Sequence, residues 1–486
     1  MEHSQDIALA VDLDGTLLRS DTLYDSFFDV LSRDLVGALS AVTALKDGKA
    51  ALKAALADRA EIEPENLPYE PAVLALIEEA RAAGRKTVLV SASDQRLVQA
   101  IADHLGVFDE AHGSDGARNL SGAAKADWLA ERFGEKGFDY VGDGIVDLPV
   151  WARARRALTA GAPGRVRAAV DKAHPDAVHI APQDAGAAAK ALLRAMRPHQ
   201  WVKNLLVFLP ALAGHRLNED TIGPAIGAFV AFCLVASSVY LLNDLLDLKS
   251  DRAHSKKHAR PLASGAARLA HGVVMAPALL AGGFGVALAM GQGDFVLVLL
   301  VYWLITLAYS LYLKRQLVID ILTLAALYTI RVIGGGAATG LVLSPWLFAL
   351  AIFLFLSLAA IKRQAELVNS IKQGKTDLNG RAYRADDLPI IAMFATSAGY
   401  MAVMVMALFV SGERVRKIHQ STIAVYNSPL ILWLICPVLL YWISRVVMLT
   451  HRGRMNEDPV MFALRDPISL LCGFLMVAIV MAAKYL

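Results

Sequence analysis

The chain has little cysteine. Only three occur in 486 residues, and Cys233, Cys436 and Cys472 all fall inside apolar runs. They read as small buried hydrophobes and supply neither a disulfide framework nor metal-ligand spacing. Charge is also sparse: charged residues make up 19% of the chain and the net charge is only +3, so nothing points to nucleic acid. There is no short-period repeat and no low-complexity tract. The N-terminus starts acidic and enters a strand-like run, without the pattern of a signal peptide, so the N-terminal part is expected in the cytosol.

Apolar residues are abundant. They reach 56%, with a mean hydropathy of +0.45, too high for a wholly soluble protein of this length. They are unevenly spread. Residues 1–183 mix charged and apolar residues as a soluble domain does, and 184–202 form a linker with an Ala-rich amphipathic helix near 187–196. Residues 203–486 are dominated by runs of membrane-spanning length. About nine segments are expected, near 203–214, 222–243, 269–290, 294–313, 317–340, 345–361, 388–411, 428–448 and 468–484. The cation bias puts the loops carrying Lys249 to Arg260, Lys314, Arg315, Lys362, Arg363, Lys372, Lys375, Arg381 and Arg384 on the cytosolic side. Arg414, Arg416 and Lys417 conflict with that orientation. The expected location is a bacterial inner membrane, crossed many times.

The most informative stretch runs from Asn243 to Arg260. Asn243, Asp247 and Asp251 recur every four residues, which stacks them on one face of a helix. They stand where a long apolar segment ends, and acids at that depth are costly unless they pair or bind an ion. Hard oxygen ligands suit Mg²⁺ shared with substrate phosphates. Lys256, Lys257 and Arg260 follow and can hold the rest of such a substrate. A charged loop that only orients the helix has no need of this spacing.

In the soluble part, Ile7–Val11 reads as a buried strand ending at Asp12, Thr87–Val90 as a second and Tyr140–Val141 as a third, with a last one near Ala177–Ile180. Helical segments between them imply a parallel α/β sheet. Asp12-Leu13-Asp14-Gly15-Thr16, Ser91, Lys125 and Gly142-Asp143 with Asp147 sit at strand ends in this order. Together they resemble the haloacid dehalogenase superfamily of phosphatases over about residues 5–182. The resemblance implies Asp12 as nucleophile and Asp14 as acid/base. It implies Ser91 and Lys125 as phosphoryl ligands, Mg²⁺ held by Asp12, Asp14, Asp143 and Asp147, and a helical cap between Thr16 and Lys86.

The Asn-Asp-x-x-Asp-x-x-x-Asp run, with the segment count, resembles the UbiA superfamily of intramembrane transferases over about residues 190–486. Most members clamp a prenyl diphosphate between two acid clusters. Here the second stretch, Tyr309 to Asp320, offers one acid and the cations Lys314 and Arg315, a departure that argues against a prenyl diphosphate donor. The pattern is more similar to one branch, the decaprenyl-phosphate phosphoribosyltransferases. It is carried by Arg197-Pro198-His199-Gln200-Trp201-Val202-Lys203-Asn204, the long aspartate motif, Tyr309–Asp320, Arg331, and Ile361-Lys362-Arg363-Gln364-Ala365-Glu366-Leu367. That resemblance implies transfer of 5-phosphoribosyl from phosphoribosyl diphosphate to a polyprenyl phosphate. Asn243, Asp247 and Asp251 would hold Mg²⁺ on the diphosphate. Arg197, Lys203, Asn204, Tyr309, Lys314, Asp320, Arg331, Lys362 and Arg363 would bind substrates.

The expected architecture is therefore an α/β domain with a helical cap, followed by an all-α polytopic membrane domain. The fused phosphatase would then remove the 5-phosphate of the lipid product. Two competing readings are an ordinary prenyltransferase acting on an aromatic acceptor with a degenerate N-terminal domain, and a transporter or lipid-binding protein that makes no covalent product. Arg363 and Arg384 can equally set topology, and Tyr309 and Tyr312 can be interfacial anchors. Oligomeric state is left open.

Overall fold

A computed structural model describes residues 7–181, 184–374, 376, 381–418, 426–455 and 458–486. Lys375 lies outside them, and the side chains of Arg416 and Lys417 are likewise not described. The chain divides into two compact units: Met1–Arg197 with Tyr240–Ala278, and Pro198–Val239 with Leu279–Leu486. This division by packing differs from the division by composition. Residues 240–278, which carry the aspartate motif, belong with the first unit.

The first unit is built on six parallel strands: β1 (Ala8–Val11), β2 (Thr87–Asp94), β3 (Glu110–Ser114), β4 (Phe138–Gly142), β5 (Ala157–Ala160) and β6 (Val178–Ile180), in the order β3-β2-β1-β4-β5-β6. The strands β1, β4 and β5 are buried along their whole length, as expected of a parallel sheet covered on both faces. Alternation along β1 divides its side chains. Ala8 and Ala10 join Val88, Val90, Phe138 and Tyr140 in one core, while Leu9 and Val11 join Leu89 and Val141 in the other. Sequence reading missed β3 and β5. The first is amphipathic and half-buried, and the second is a four-residue run, Ala-Leu-Thr-Ala, with weak strand character.

Between β1 and β2 lie the helices Thr22–Arg33, Leu35–Thr43, Lys49–Ala57 and Pro71–Ala82. The first begins because Asp21 accepts from the backbone N–H of Leu23 at 2.9 Å. Residues 249–268 pack against this region. Arg252 reaches Asp25 Oδ1 and Ser20 Oγ at 2.9 Å each, with side chains 6% and 1% exposed for Arg252 and Asp25. Lys249 pairs with Glu63 at 3.1 Å and Glu61 at 3.3 Å. Gly265 has φ +71°, and a Cβ there would lie 2.5 Å from the backbone oxygen of Arg19, so only glycine permits the approach.

Across the described residues eight helices are long and apolar enough to cross a membrane: Glu219–Leu246, Leu269–Ala289, Gly293–Leu311, Ile319–Thr339, Pro345–Lys372, Ala385–Arg414, Pro429–His451 and Pro467–Tyr485. The expected ninth, 203–214, differs. It forms a 3₁₀ helix, Pro198–Phe208, followed by the short helix Leu209–Ala213. Lys203 and Asn204 are buried in it by polar partners, and a Cβ at Gly335 would lie 2.0 Å from the Val207 oxygen. The segment thus lies tightly against Ile319–Thr339. Of the eight, that helix is the most buried and Pro467–Tyr485 the least. The three cysteines are free and buried.

Candidate active sites

In the first unit Asp12 follows β1, Ser91 lies within β2 and Asp143 follows β4, so the sheet's C-terminal edge gathers them. Lys125, from helix Ala123–Phe133, donates to Asp12 Oδ1 at 2.7 Å and to the Tyr140 hydroxyl at 3.0 Å. Tyr140 in turn donates to Asp147 Oδ1 at 2.8 Å. Tyr140 was missed in the sequence, where it reads as a buried strand residue. Its hydroxyl links the lysine to the second acid.

Carboxylate oxygens of Asp12, Asp143 and Asp147 all lie within 4.8 Å of one another. Burial first, then Asp147 and Asp14, push Asp12 up to about 7 against the opposing pull of Lys125. Burial and Asp12 push Asp143 up to about 8, opposed by the nearby Arg268. Three hard oxygen donors whose negative charges oppose one another fit a divalent cation. Asp14 does not join this group. Its carboxylate accepts from Thr22 N at 2.7 Å and Ser93 Oγ at 2.5 Å, facing the cap. Asp14 therefore stands as an acid/base candidate, pushed up to about 6 by burial and Asp21, and its expected place among the metal ligands is not supported by the geometry. Ser91 is buried and its Oγ accepts from Ser93 N at 3.0 Å. Lys53, on helix Lys49–Ala57, was not singled out in the sequence. It donates to the Ala92 oxygen at 2.6 Å, close enough to Asp14 and Asp21 to feel their charge.

The aspartate motif bends at its centre. Helix Glu219–Leu246 stops, and Asp247 stands at the N-terminal boundary of the short helix Leu248–Arg252. The helical spacing nevertheless persists, because Asp247 N donates to Asn243 O at 2.9 Å and Asp251 N to Asp247 O at 2.8 Å. Asp251 is 1% exposed, pairs with Arg260 at 2.5 Å and has Lys257 at 4.0 Å. Burial raises its pKa against the pull of Arg260. Its buried Oδ1 has no hydrogen-bond partner, an oxygen suited to a cation. Asp244, which the spacing argument passed over, accepts from Arg197 at 2.5 Å and Arg260 at 3.2 Å. Lys256 and Lys257 are exposed.

The second unit holds two further clusters. Asp320, wholly buried, pairs with Arg363 at 2.8 Å and Arg381 at 2.7 Å and accepts from the Tyr309 hydroxyl at 2.8 Å. Arg363 also pairs with Glu366. In the other cluster Asp458 pairs with Lys203 at 2.7 Å and Lys362 at 3.3 Å, and accepts from the Tyr328 hydroxyl at 3.2 Å. Burial lowers Lys203 to about 8 in spite of this partner. For Asp458 the two ammonium groups outweigh burial and hold its carboxyl well below the usual range. Arg331 donates to Asn204 Oδ1 at 2.8 Å and the Tyr302 hydroxyl at 2.9 Å. Lys314 is half-exposed. Sequence reading missed Asp458, which stands alone in a polar stretch without motif spacing, and gave Arg381 only a topological role.

Residues 205–479 match the UbiA prenyltransferase family. The chain belongs to that family. Residues 9–152 match the haloacid dehalogenase-like hydrolases. Both families are generally Mg²⁺-dependent, and the two assignments together make the protein a multi-pass membrane enzyme. An uncharacterized protein, y4nM, from Sinorhizobium fredii is 37% identical over 98% of this chain and 91% of its own. The nodulation protein NoeC of Azorhizobium caulinodans is 38% identical over 57% of this chain and 88% of its own. The decaprenyl-phosphate phosphoribosyltransferase of Mycolicibacterium smegmatis is 39% identical over 36% of this chain, spanning 57% of that enzyme.

Proposed function

We propose that the protein transfers 5-phosphoribosyl from phosphoribosyl diphosphate to a polyprenyl phosphate, and that its N-terminal domain then removes the 5-phosphate to leave polyprenyl-phosphoryl ribose. The observation that carries the reading is the state of Asp320. Where a prenyltransferase needs a second acid cluster, the one acid is bound by Arg363 and Arg381. Together with Lys203, Arg331 and Lys362, this unit offers cations to phosphates rather than acids to a second metal. Similarity to decaprenyl-phosphate phosphoribosyltransferases over 36% of the chain supports the same choice.

In this reading Asn243, Asp247 and Asp251 hold Mg²⁺ at the donor's diphosphate, and Asp12, Asp143 and Asp147 hold it in the phosphatase. When bound, Mg²⁺ offsets the repulsion among carboxylates and phosphates. Lys256, Lys257 and Arg260 bind the donor's phosphates. Lys203 and Lys362 position the lipid phosphate, which is already anionic and needs no general base. Its oxygen forms the bond to the anomeric carbon as the bond to diphosphate breaks, with inversion. An apolar cavity of about 310 Å³, lined by Leu350, Leu354, Met406, Leu439, Trp442 and Met476 among others, suits part of a prenyl tail. In the second reaction Asp12 attacks phosphorus and forms an aspartyl-phosphate. Lys125 holds Asp12, and Asp14 gives a proton to the departing oxygen and then takes one from the attacking water. The soluble donor and the phosphatase share the cytosolic side of an inner membrane.

The deciding assay is purified protein with Mg²⁺, labelled phosphoribosyl diphosphate and a polyprenyl phosphate, with lipid products resolved by mass. Label in the lipid is expected. A product formed only from a prenyl diphosphate would replace this reading with the ordinary prenyltransferase.

A further inference from the structure

Helix Leu35–Thr43, in the insert between β1 and β2, is inside out. Its buried positions are the small ones, Gly37, Ala38 and Ala41. Its large aliphatic side chains face outward. Leu35, Leu39 and Val36 are 56%, 58% and 76% exposed, and Val42 and Leu45 are exposed as well. At about 100° per residue, Leu35, Leu39 and Val42 fall within an arc of about 60°, with Val36 beside it. The inward face has to be small, because Ala38 and Ala41 pack on Val30 and Leu56 in the insert's own core. The outward face has no such reason in water. A contiguous exposed apolar patch marks a surface that something else covers.

What covers it follows from where the insert is anchored. Residues 240–278 belong to the same compact unit. They hold the end of one membrane-length helix, Glu219–Leu246, and the start of the next, Leu269–Ala289. The insert grips the chain between them. Arg252 pairs with Asp25, and Lys249 with Glu61 and Glu63. Leu245 and Leu246 line a cleft with Asp29, Ile62 and Leu67. Asp25 and Asp29 stand on helix Thr22–Arg33, whose Val30 is packed by Leu35–Thr43. The stripe is therefore one helix away from the point where the chain leaves the bilayer. The charges at its ends, Arg33 and Asp34, then Lys46 and Asp47, cancel. Burial of apolar surface, and not attraction to anionic headgroups, has to hold it.

We propose that Leu35–Thr43 is an interfacial helix, with its Leu35, Val36, Leu39 and Val42 face immersed in the surface of the bilayer that the chain crosses. The occupant is lipid because the anchor keeps the stripe at the membrane. A free helix of nine residues would bind weakly, but the tether makes the second contact intramolecular. The proposal does not depend on the reaction assigned above.

The test uses full-length protein, one molecule per nanodisc of neutral phosphatidylcholine, carrying one NBD-labelled cysteine at a time. The native cysteines are buried, and unsubstituted protein gives the labelling background. Label at Leu39→Cys is expected to emit at shorter wavelength than label at Glu131→Cys, an exposed position on helix Ala123–Phe133. Lipid with a doxyl group near the top of its acyl chain should quench the first by about half and the second little. Raising salt should change neither, since no net charge holds the helix. Adding Leu35→Ser and Val42→Ser to Leu39→Cys should abolish the quenching without changing thermal unfolding, because the altered side chains are exposed. A short-wavelength label that doxyl lipid leaves unquenched would mean that another part of the chain covers the stripe. A shift seen only in discs with two molecules would assign it to a second copy, and one seen only with added polyprenyl phosphate to that lipid's tail. Each of these overturns the proposal, as does a water-exposed label at 39 or equal quenching at 131.

Discussion

Lys203 and Asp458 stand 255 positions apart in the chain and meet at 2.7 Å. One lies on the 3₁₀ segment before the first long helix, the other at the start of the short helix Pro459–Ala463. Asp458 also faces Lys362, so one carboxylate serves two ammonium groups. Asp458→Ala leaves the buried Lys203 without its ion-pair partner and takes one carboxylate away from Lys362. It is expected to lower stability by about 3 kcal/mol, the usual cost of breaking a buried pair, read as thermal unfolding in detergent. A change under half a degree would remove Asp458 from the framework of the site.

The same pair predicts a pH dependence. Burial lowers Lys203 to about 8. As pH rises through that value Lys203 loses its charge, and attraction for an anionic acceptor falls. The apparent KM for polyprenyl phosphate should therefore rise above pH 8. For stability the sign is the reverse: the unfolded chain holds this proton up to the ordinary lysine range, so the Lys203 contribution improves between about 8 and that range. Lys203→Arg should flatten the KM rise. An identical pH profile in that variant assigns the rise to another group.

Asp251→Asn and Asp247→Asn should each slow lipid ribosylation by about a hundredfold or more, equivalent to losing a few kcal/mol of transition-state stabilisation. Expression and thermal stability should stay close to wild type for Asp247→Asn. Near-normal transfer in both variants would sink the donor-site assignment.

Neutralising Lys256 or Lys257 should raise the KM for phosphoribosyl diphosphate several-fold, with the KM for the lipid unchanged. Both side chains are exposed, so their loss should not disturb packing. An effect confined to the lipid would reassign them to the acceptor.

Asp12→Asn should leave the transfer running and stop loss of the 5-phosphate, because the amide cannot form an aspartyl-phosphate. Mass spectrometry should find a lipid heavier by one phosphate than the wild-type product. The same lipid from both proteins would mean that the phosphatase acts on something else.

What the sequence revealed depended on whether chemistry was local. Asp12, Lys125 and Asp143 were legible because strand ends and short motifs mark them, and the apolar runs announced the membrane helices by length alone. Segment 203–214 misled because hydropathy is blind to Lys203 and Asn204 finding partners far along the chain. Asp458, Arg381 and Tyr140 gave no signal for a related reason. Each acts through a contact that only tertiary structure creates, Arg381 with Asp320 and Asp458 with Lys203. Asp320 was found, but its neutralisation by two arginines could not be read from spacing.

The buried pair of Arg252 and Asp25 has a consequence for heredity. The haloacid dehalogenase-like domain cannot be lifted intact onto another membrane partner by a crossover at 184–202, since Asp25 would arrive without its counter-charge. A lineage that recombines the halves must carry residues 249–268 along, or replace Asp25 in the same step. Substitutions at 25 and 252 should therefore travel together among descendants of the fused gene, and a stand-alone descendant of the N-terminal domain should have an uncharged residue at 25.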